Sequence, residues 1–131
     1  MSASCDGSVN VYGSYQPGQA GWSLTCGTSE ATPEFAAIVA LADQVAGHPL
    51  GLINPALYRL AAQHAPGIVD VTSGNNTVSF RQGTGDQSTG NHGTGKKQVT
   101  VHGYAAGPGY DLVTGVGTVN AQQLVYELAN G

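Results

Sequence analysis

Apolar and polar positions alternate in two short runs near the start of the chain, residues 8–15 (SVNVYGSY) and 21–25 (GWSLT). Between them lies Gln16-Pro17-Gly18-Gln19-Ala20. Period-two alternation on either side of Pro-Gly predicts a β-hairpin. Over residues 30–46 the pattern changes: EATPEFAAIVALADQVA is rich in Ala and apolar on nearly every face of a 3.6-residue helix, with Gly47 as its stop. A helix apolar all round belongs in an interior. Pro33 is placed in its first turn, where a missing N–H costs no hydrogen bond. A second helix, NPALYRLAAQHA, opens with Asn54 as N-cap and Pro55 at the first helical position, and Ala65-Pro66-Gly67 closes it.

Residues 68–72 read as a short buried strand, and residues 73–98 as a long polar loop whose part from 83 onward is a surface insertion. Residues 99–104 alternate again as a strand. Asn120 then caps a last amphipathic helix over 121–129, with Leu124, Val125 and Leu128 on one face. Strands and helices are mixed, without repeat or linker, so the class is α/β and residues 1–131 form a single domain.

Composition narrows the function. A chain of 131 residues can bury about 68% of its unfolded surface, enough for a core. Only 9% of residues are charged, the net charge is −4, and the one basic pair is Lys96-Lys97. That leaves no electrostatic footprint for nucleic acid or for an anionic membrane. The apolar run over 35–45 is too short to span a bilayer and does not resemble a leader peptide, so any secretion signal lies outside these residues. So little charge changes as pH falls that acid denaturation by repulsion would be weak. An acid-exposed protein and a plain Gly-rich extracellular domain fit this equally. Cys5 and Cys26 are the only cysteines. They fit either a disulfide in an oxidising compartment or two buried thiols.

Candidate chemistry begins at Cys26-Gly27-Thr28-Ser29. A serine at the start of a helix sits beside N–H groups that have no intrahelical partner, and these can stabilise an alkoxide or a nearby oxyanion. The same serine can equally be a helix cap. The four histidines, His48, His64, His92 and His102, have neither triad partners nor zinc-ligand spacing. Trp22 and the six tyrosines read as core and hairpin packing. Neither Asn75-Asn76-Thr77 nor Asn76-Thr77-Val78 is taken as a glycosylation signal.

The segment GTSEATPEFAAIVALADQ resembles the nucleophile segment of the sedolisins, the serine-carboxyl peptidases, in which Gly-Thr-Ser-x-x-x-Pro enters a buried helix. The preceding VNVYGSYQPGQAGW and the following PLGLINPALYRLA are similar to the flanks of that segment. Subtilisins share the Gly-Thr-Ser and Pro pattern. The tail separates the two families: Asp70-Val71, then Gly107-Pro108-Gly109-Tyr110-Asp111 and LVTGVGTVNA, resemble the closing stretch of sedolisins, where they form a calcium site. The resemblance therefore implies Ser29 as nucleophile. It also implies a Ca²⁺ site with side-chain oxygens from Asp70 and Asp111 and main-chain oxygens from Val71, Gly107 and Gly109. Such a donor set suits a hard ion that takes six to eight oxygens at about 2.3–2.6 Å.

The glutamate that activates the serine in sedolisins, the aspartate that orients it and the oxyanion aspartate match no position of this chain. Glu30 and Glu34 neighbour Ser29 on the entering helix and are not substitutes. The resemblance thus implies the C-terminal part of a subtilisin-like, mostly parallel-sheet fold with flanking helices, from a secreted acid-acting endopeptidase. The isolated chain is expected to be inactive. Its expected partners are the N-terminal part of the same catalytic domain or a second copy, with a peptide as substrate once completed. The other readings are a non-catalytic calcium-binding or partner-binding module, and a subtilisin-family fragment.

Overall fold

The computed structural model describes residue 5 and residues 8–15, 20–82 and 97–131. Strands and helices are mixed along the chain: β1 (Val9–Gly13), β2 (Gly21–Thr25), α1 (Thr28–Ala46), α2 (Asn54–Ala62), β3 (Ile68–Val69), β4 (Val78–Gln82), β5 (Lys97–Val101), β6 (Thr118–Val119) and α3 (Ala121–Ala129). The residues divide into two compact units, 1–69 with 118–131, and 70–117. The second is an excursion of the chain between β3 and β6.

In the first unit, β1 and β2 pair antiparallel with Val11 opposite Ser23 and Tyr12 opposite Trp22. The predicted Pro17-Gly18 turn lies outside the described residues. Tyr12 and Trp22 meet edge to face with centroids 5.3 Å apart, a favoured aromatic geometry. Trp22 nevertheless remains 71% exposed, so it packs on the hairpin and not in the core. Cys5 and Cys26 form a disulfide across the base of this segment, with Cα atoms 5.0 Å apart.

α1 starts two residues earlier than expected, which puts Pro33 inside the helix and not in its first turn. The missing Pro33 N–H leaves the Ser29 carbonyl without its usual i+4 donor. The helix ends as expected at Gly47, whose φ of 75° lies in the left-handed region and whose N–H donates to Asp43 O at 2.9 Å. α2 differs at both ends. Asn54 is its first helical residue and not its cap, the capping position is Ile53, and no side chain caps it. It stops at Ala62, and His64 takes φ 52° while Ala65 N donates to Leu60 O and His64 N to Ala61 O. That is a Schellman closure with histidine where glycine is usual. α3 matches the sequence reading, with Asn120 accepting from Gln123 N.

The three helices meet around Ala42, Leu60, Leu124 and Leu128, with Phe35, Ile38, Leu50 and Ile53 packed against them. β3 and β6 close this unit through Ile68 opposite Val119. Gly67 admits α3 closely: a Cβ there would lie 2.8 Å from Leu124 Cα. Its N–H donates to both carboxylate oxygens of Glu127 at 3.1 Å.

In the second unit the expected polar loop over 73–98 is corrected in part. β4 lies within it and pairs antiparallel with β5, Val78 opposite Val101 and Phe80 opposite Val99. The Ser79 and Thr100 hydroxyls bond at 2.8 Å on the other face. A Val-x-Phe and Val-x-Val alternation, embedded in Ser, Thr and Gly, is sufficient for a hairpin once two such strands face each other. The insertion from 83, with His92 and Lys96, lies outside the described residues up to Lys96. Every strand pair among the described residues is antiparallel. The mostly parallel sheet of the sequence reading is not among them.

Candidate functional site

Ser29 is the second residue of α1 and is exposed. It does not cap the helix: Gly27, at φ 82°, holds the cap position and no side chain makes a cap hydrogen bond. Glycine is suited to that backbone, which other residues adopt only under strain. Glu30 and Ala31 N–H donate to Gly27 O at 3.1 and 3.2 Å. The Thr28 and Ser29 N–H groups therefore stand at the positive end of a 19-residue helix, where developing negative charge is stabilised.

No carboxylate or imidazole bonds Ser29 Oγ among the described residues. Glu30, next in sequence, points the other way: it is 5% exposed and its Oε2 has no hydrogen-bond partner. Successive helical residues project about 100° apart, which separates an exposed Ser29 from a buried Glu30. What the sequence reading missed is the burial of Glu30, for which an all-apolar helix offers no signal of face.

The second unit gathers four of the five proposed metal ligands. The β4–β5 pairing continues toward the chain ends of the hairpin at nearly the same offset, through the Asn75–Ala105 bridge and the Ala106 N to Gly74 O bond of 3.0 Å. Four residues before Gly74, the Asp70 side chain reaches across, and its Oδ2 accepts from Gly109 N at 2.8 Å. The hairpin register is thus what carries Asp70 to the Gly107-Pro108-Gly109 turn. Asp111 organises the same turn from inside. Its Oδ2 accepts from Gly107 N at 3.1 Å, and its Oδ1 from Val113 N at 2.8 Å and Thr114 N at 2.7 Å. The Thr114 hydroxyl adds longer contacts to both oxygens. The Asp111 carboxyl is held below its ordinary pKa, first by the Thr114 N–H and then by the Gly107 N–H, against an opposing desolvation effect. Val71 follows Asp70 in the chain.

These residues suit a hard cation in donor type. Asp70 keeps one oxygen outside the hydrogen bonds described, and the carbonyls of Val71, Gly107 and Gly109 take no part in backbone pairing. Asp111 Oδ1 is saturated by N–H donors, so only Oδ2 has capacity to share with an ion. No group of three or more His, Cys, Asp or Glu side chains stands together among the described residues. Two carboxylates with main-chain carbonyls are the donor type that a hard cation takes, whereas zinc is held by His and Cys side chains. No helix among the described residues is long and apolar enough to cross a membrane.

Comparison with known proteins finds relatives of the chain among the serine-carboxyl peptidases. The chain is 35% identical over 108 residues to tripeptidyl-peptidase 1 of Homo sapiens, covering 79% of this chain and 16% of that protein. The Mus musculus protein of the same name matches over the same extent at 35%. Kumamolisin of Bacillus sp. (strain MN-32) is 36% identical over 92 residues, 70% of this chain and 13% of its own. This chain belongs to the sedolisin family. It spans about one sixth of the length of the curated relatives it matches. No family model and no solved structure matches it.

Proposed function

We propose that this chain is the C-terminal part of the catalytic domain of a secreted serine-carboxyl endopeptidase acting at acidic pH, with Ser29 as nucleophile. The observation that carries the reading is an exposed Ser29 at the N-terminus of α1 whose hydroxyl is not used as a cap, in a chain of this family. In the completed domain Ser29 Oγ attacks a peptide carbonyl and the helix-terminal N–H groups face the developing oxyanion. The proton passes to a glutamate supplied by the rest of the domain. A carboxylate base stays partly ionised at a pH where imidazole is fully protonated, which fits acidic operation.

The parallel sheet of a subtilisin-like fold would likewise be completed by the remainder of the domain. Supporting this is the open apolar groove lined by Ile38, Leu41, Val45, Val125 and Tyr126, with Leu41 52% exposed. A surface of that kind suits a further chain segment, either the N-terminal part of the domain or a second copy. Asp70, Asp111 and the carbonyls of Val71, Gly107 and Gly109 would hold Ca²⁺, which supplies structural charge neutralisation in the turn. Extracellular residence is supported by the Cys5–Cys26 disulfide.

The test is trapping with a peptide aldehyde, which adds to an activated serine as a hemiacetal. The chain alone is expected to give no adduct, because among the described residues no carboxylate or imidazole bonds Ser29 Oγ. Mixed with kumamolisin from which the 92 matched residues have been deleted, it should give an adduct on Ser29 that Ser29→Ala abolishes. Calcium binding without any adduct in the mixture would instead favour a non-catalytic binding module.

A further inference from the structure

The triplet Asn75-Asn76-Thr77 has asparagine, a residue other than proline, and threonine in order. That is the complete acceptor pattern for asparagine-linked glycosylation, so it cannot be set aside as the sequence reading has it. No other asparagine of the chain has Ser or Thr two positions on.

The three residues are used differently. Thr77 Oγ1 accepts from Gly103 N at 3.1 Å, and Asn76 Oδ1 accepts from Tyr104 N at 2.7 Å. Both fasten the turn to the neighbouring segment. Asn75 is exposed, and its backbone bridges to Ala105. Its Oδ1 accepts from Thr77 N at 2.9 Å, which turns the carbonyl end of the amide back to the chain. Nδ2 has no partner among the described residues. A substituent on that nitrogen displaces no hydrogen bond and buries no group. Separately, Cys5 and Cys26 are joined, and structural disulfides form in the secretory lumen, the compartment in which asparagine-linked glycans are added.

We propose that Asn75 is a glycosylation site, taking an oligosaccharide from a polyprenyl diphosphate carrier. The new bond joins Nδ2 to the anomeric carbon of the first sugar while the bond from that carbon to the diphosphate oxygen breaks. Nδ2 gives up one proton, and polyprenyl diphosphate leaves; no oxidation or reduction is involved. The proposal rests on the secretory part of the function proposed above and is independent of catalysis at Ser29.

The full chain, secreted from a eukaryotic host behind a cleavable leader, is digested and Asn75 is read by mass spectrometry before and after an amidase that removes asparagine-linked glycans. Modification of Asn75 is expected, with conversion to aspartate on amidase treatment. Asn75→Asp keeps an oxygen for the Thr77 N–H but has no amide nitrogen, and should be secreted without a glycan. Thr77→Ser retains the hydroxyl and should remain modified, whereas Thr77→Ala should lose the glycan. Wild-type chain secreted with Cys5–Cys26 formed and Asn75 unmodified overturns the proposal, as does a glycan that persists in Asn75→Asp. Failure of the peptidase reading is seen separately, in the Ser29 adduct.

Discussion

Ser29 and Glu30 are neighbours with opposite surroundings, and each carries a different cost. Ser29 is exposed and makes no cap hydrogen bond, so Ser29→Ala should leave stability within about 0.5 kcal/mol while removing the proposed site of acylation. Glu30 is buried with an orphaned Oε2, and a buried acceptor without a partner costs about 1–3 kcal/mol. Glu30→Met, similar in length and without a polar group to desolvate, should therefore raise the unfolding free energy of the isolated chain by about that amount in urea titration. A lower midpoint for the variant would mean that the carboxylate is paired after all. Asp111 is the reverse case, an acid both of whose oxygens accept from N–H donors. Its folded pKa lies below the ordinary 3.8, so its contribution is fully present above 3.8 and is lost as pH falls through the lower folded value. In calcium-free buffer Asp111→Asn should weaken the turn at neutral pH and flatten the acid limb of the stability curve below 3.8. Amide exchange at Val113 and Thr114 measures both effects. The placement of Ser29 at a helix start was legible from Gly27-Thr28-Ser29, because turn chemistry is local. The burial of Glu30 was not, since an all-apolar helix gives no periodicity from which to tell one face from another.

At the level of elements, legibility followed the strength of the local signal. α3 was readable to the residue because its cap, its apolar stripe and its flanking turn agree. α2 was misread at its start because Asn-Pro favours a cap by propensity, whereas Ile53 already has helical backbone angles and continues the turn. β4 was hidden by composition: Val78 and Phe80 are only two apolar residues in a Ser-, Thr- and Gly-rich stretch, and their partners Val99 and Val101 lie some twenty positions away. Long-range pairing of this kind is invisible to a window. The junction of Gly67 with α3 was equally unreadable, since Glu127 lies 60 positions on. It makes a sharp prediction. Gly67→Ala drives a methyl group against Leu124 Cα and the Glu127 carboxylate, and should destabilise by more than the about 1–3 kcal/mol typical of overpacking, because backbone is one of the obstacles. Leu124→Ala, in contrast, empties the fully buried centre of the same contact and should cost about 2–5 kcal/mol. Chemical denaturation of the two variants, read by helical circular dichroism, checks both.

At the level of the whole chain there are two units with different chemistry, the second inserted in the sequence of the first. The first carries the helix with Ser29 and its apolar core; the second carries Asp70 and Asp111 and is held by the β4–β5 ladder together with hydrogen bonds to Asp70, Asp111 and Asn76. A unit with little buried apolar surface opens locally at low cost, which makes it the part whose stability a bound ion would change most. An ion that binds only the folded turn stabilises it by mass action, by about 2.7 kcal/mol at one hundred times its dissociation constant. If Asp70 and Asp111 hold Ca²⁺ as proposed, adding it should slow amide exchange at Gly107, Gly109, Val113 and Thr114 about a hundredfold at that concentration. Exchange at Leu124, in the helical core, should hardly move. Asp70→Ala removes the carboxylate that has spare coordination capacity and should abolish the protection, while Mg²⁺, which demands tighter octahedral geometry, should protect far less. Equal slowing at Leu124 and at Gly109 would mean that the ion acts on the folding of the entire chain. No slowing at either would remove calcium from the second unit and leave Asp70 and Asp111 as the hydrogen-bond anchors of a turn.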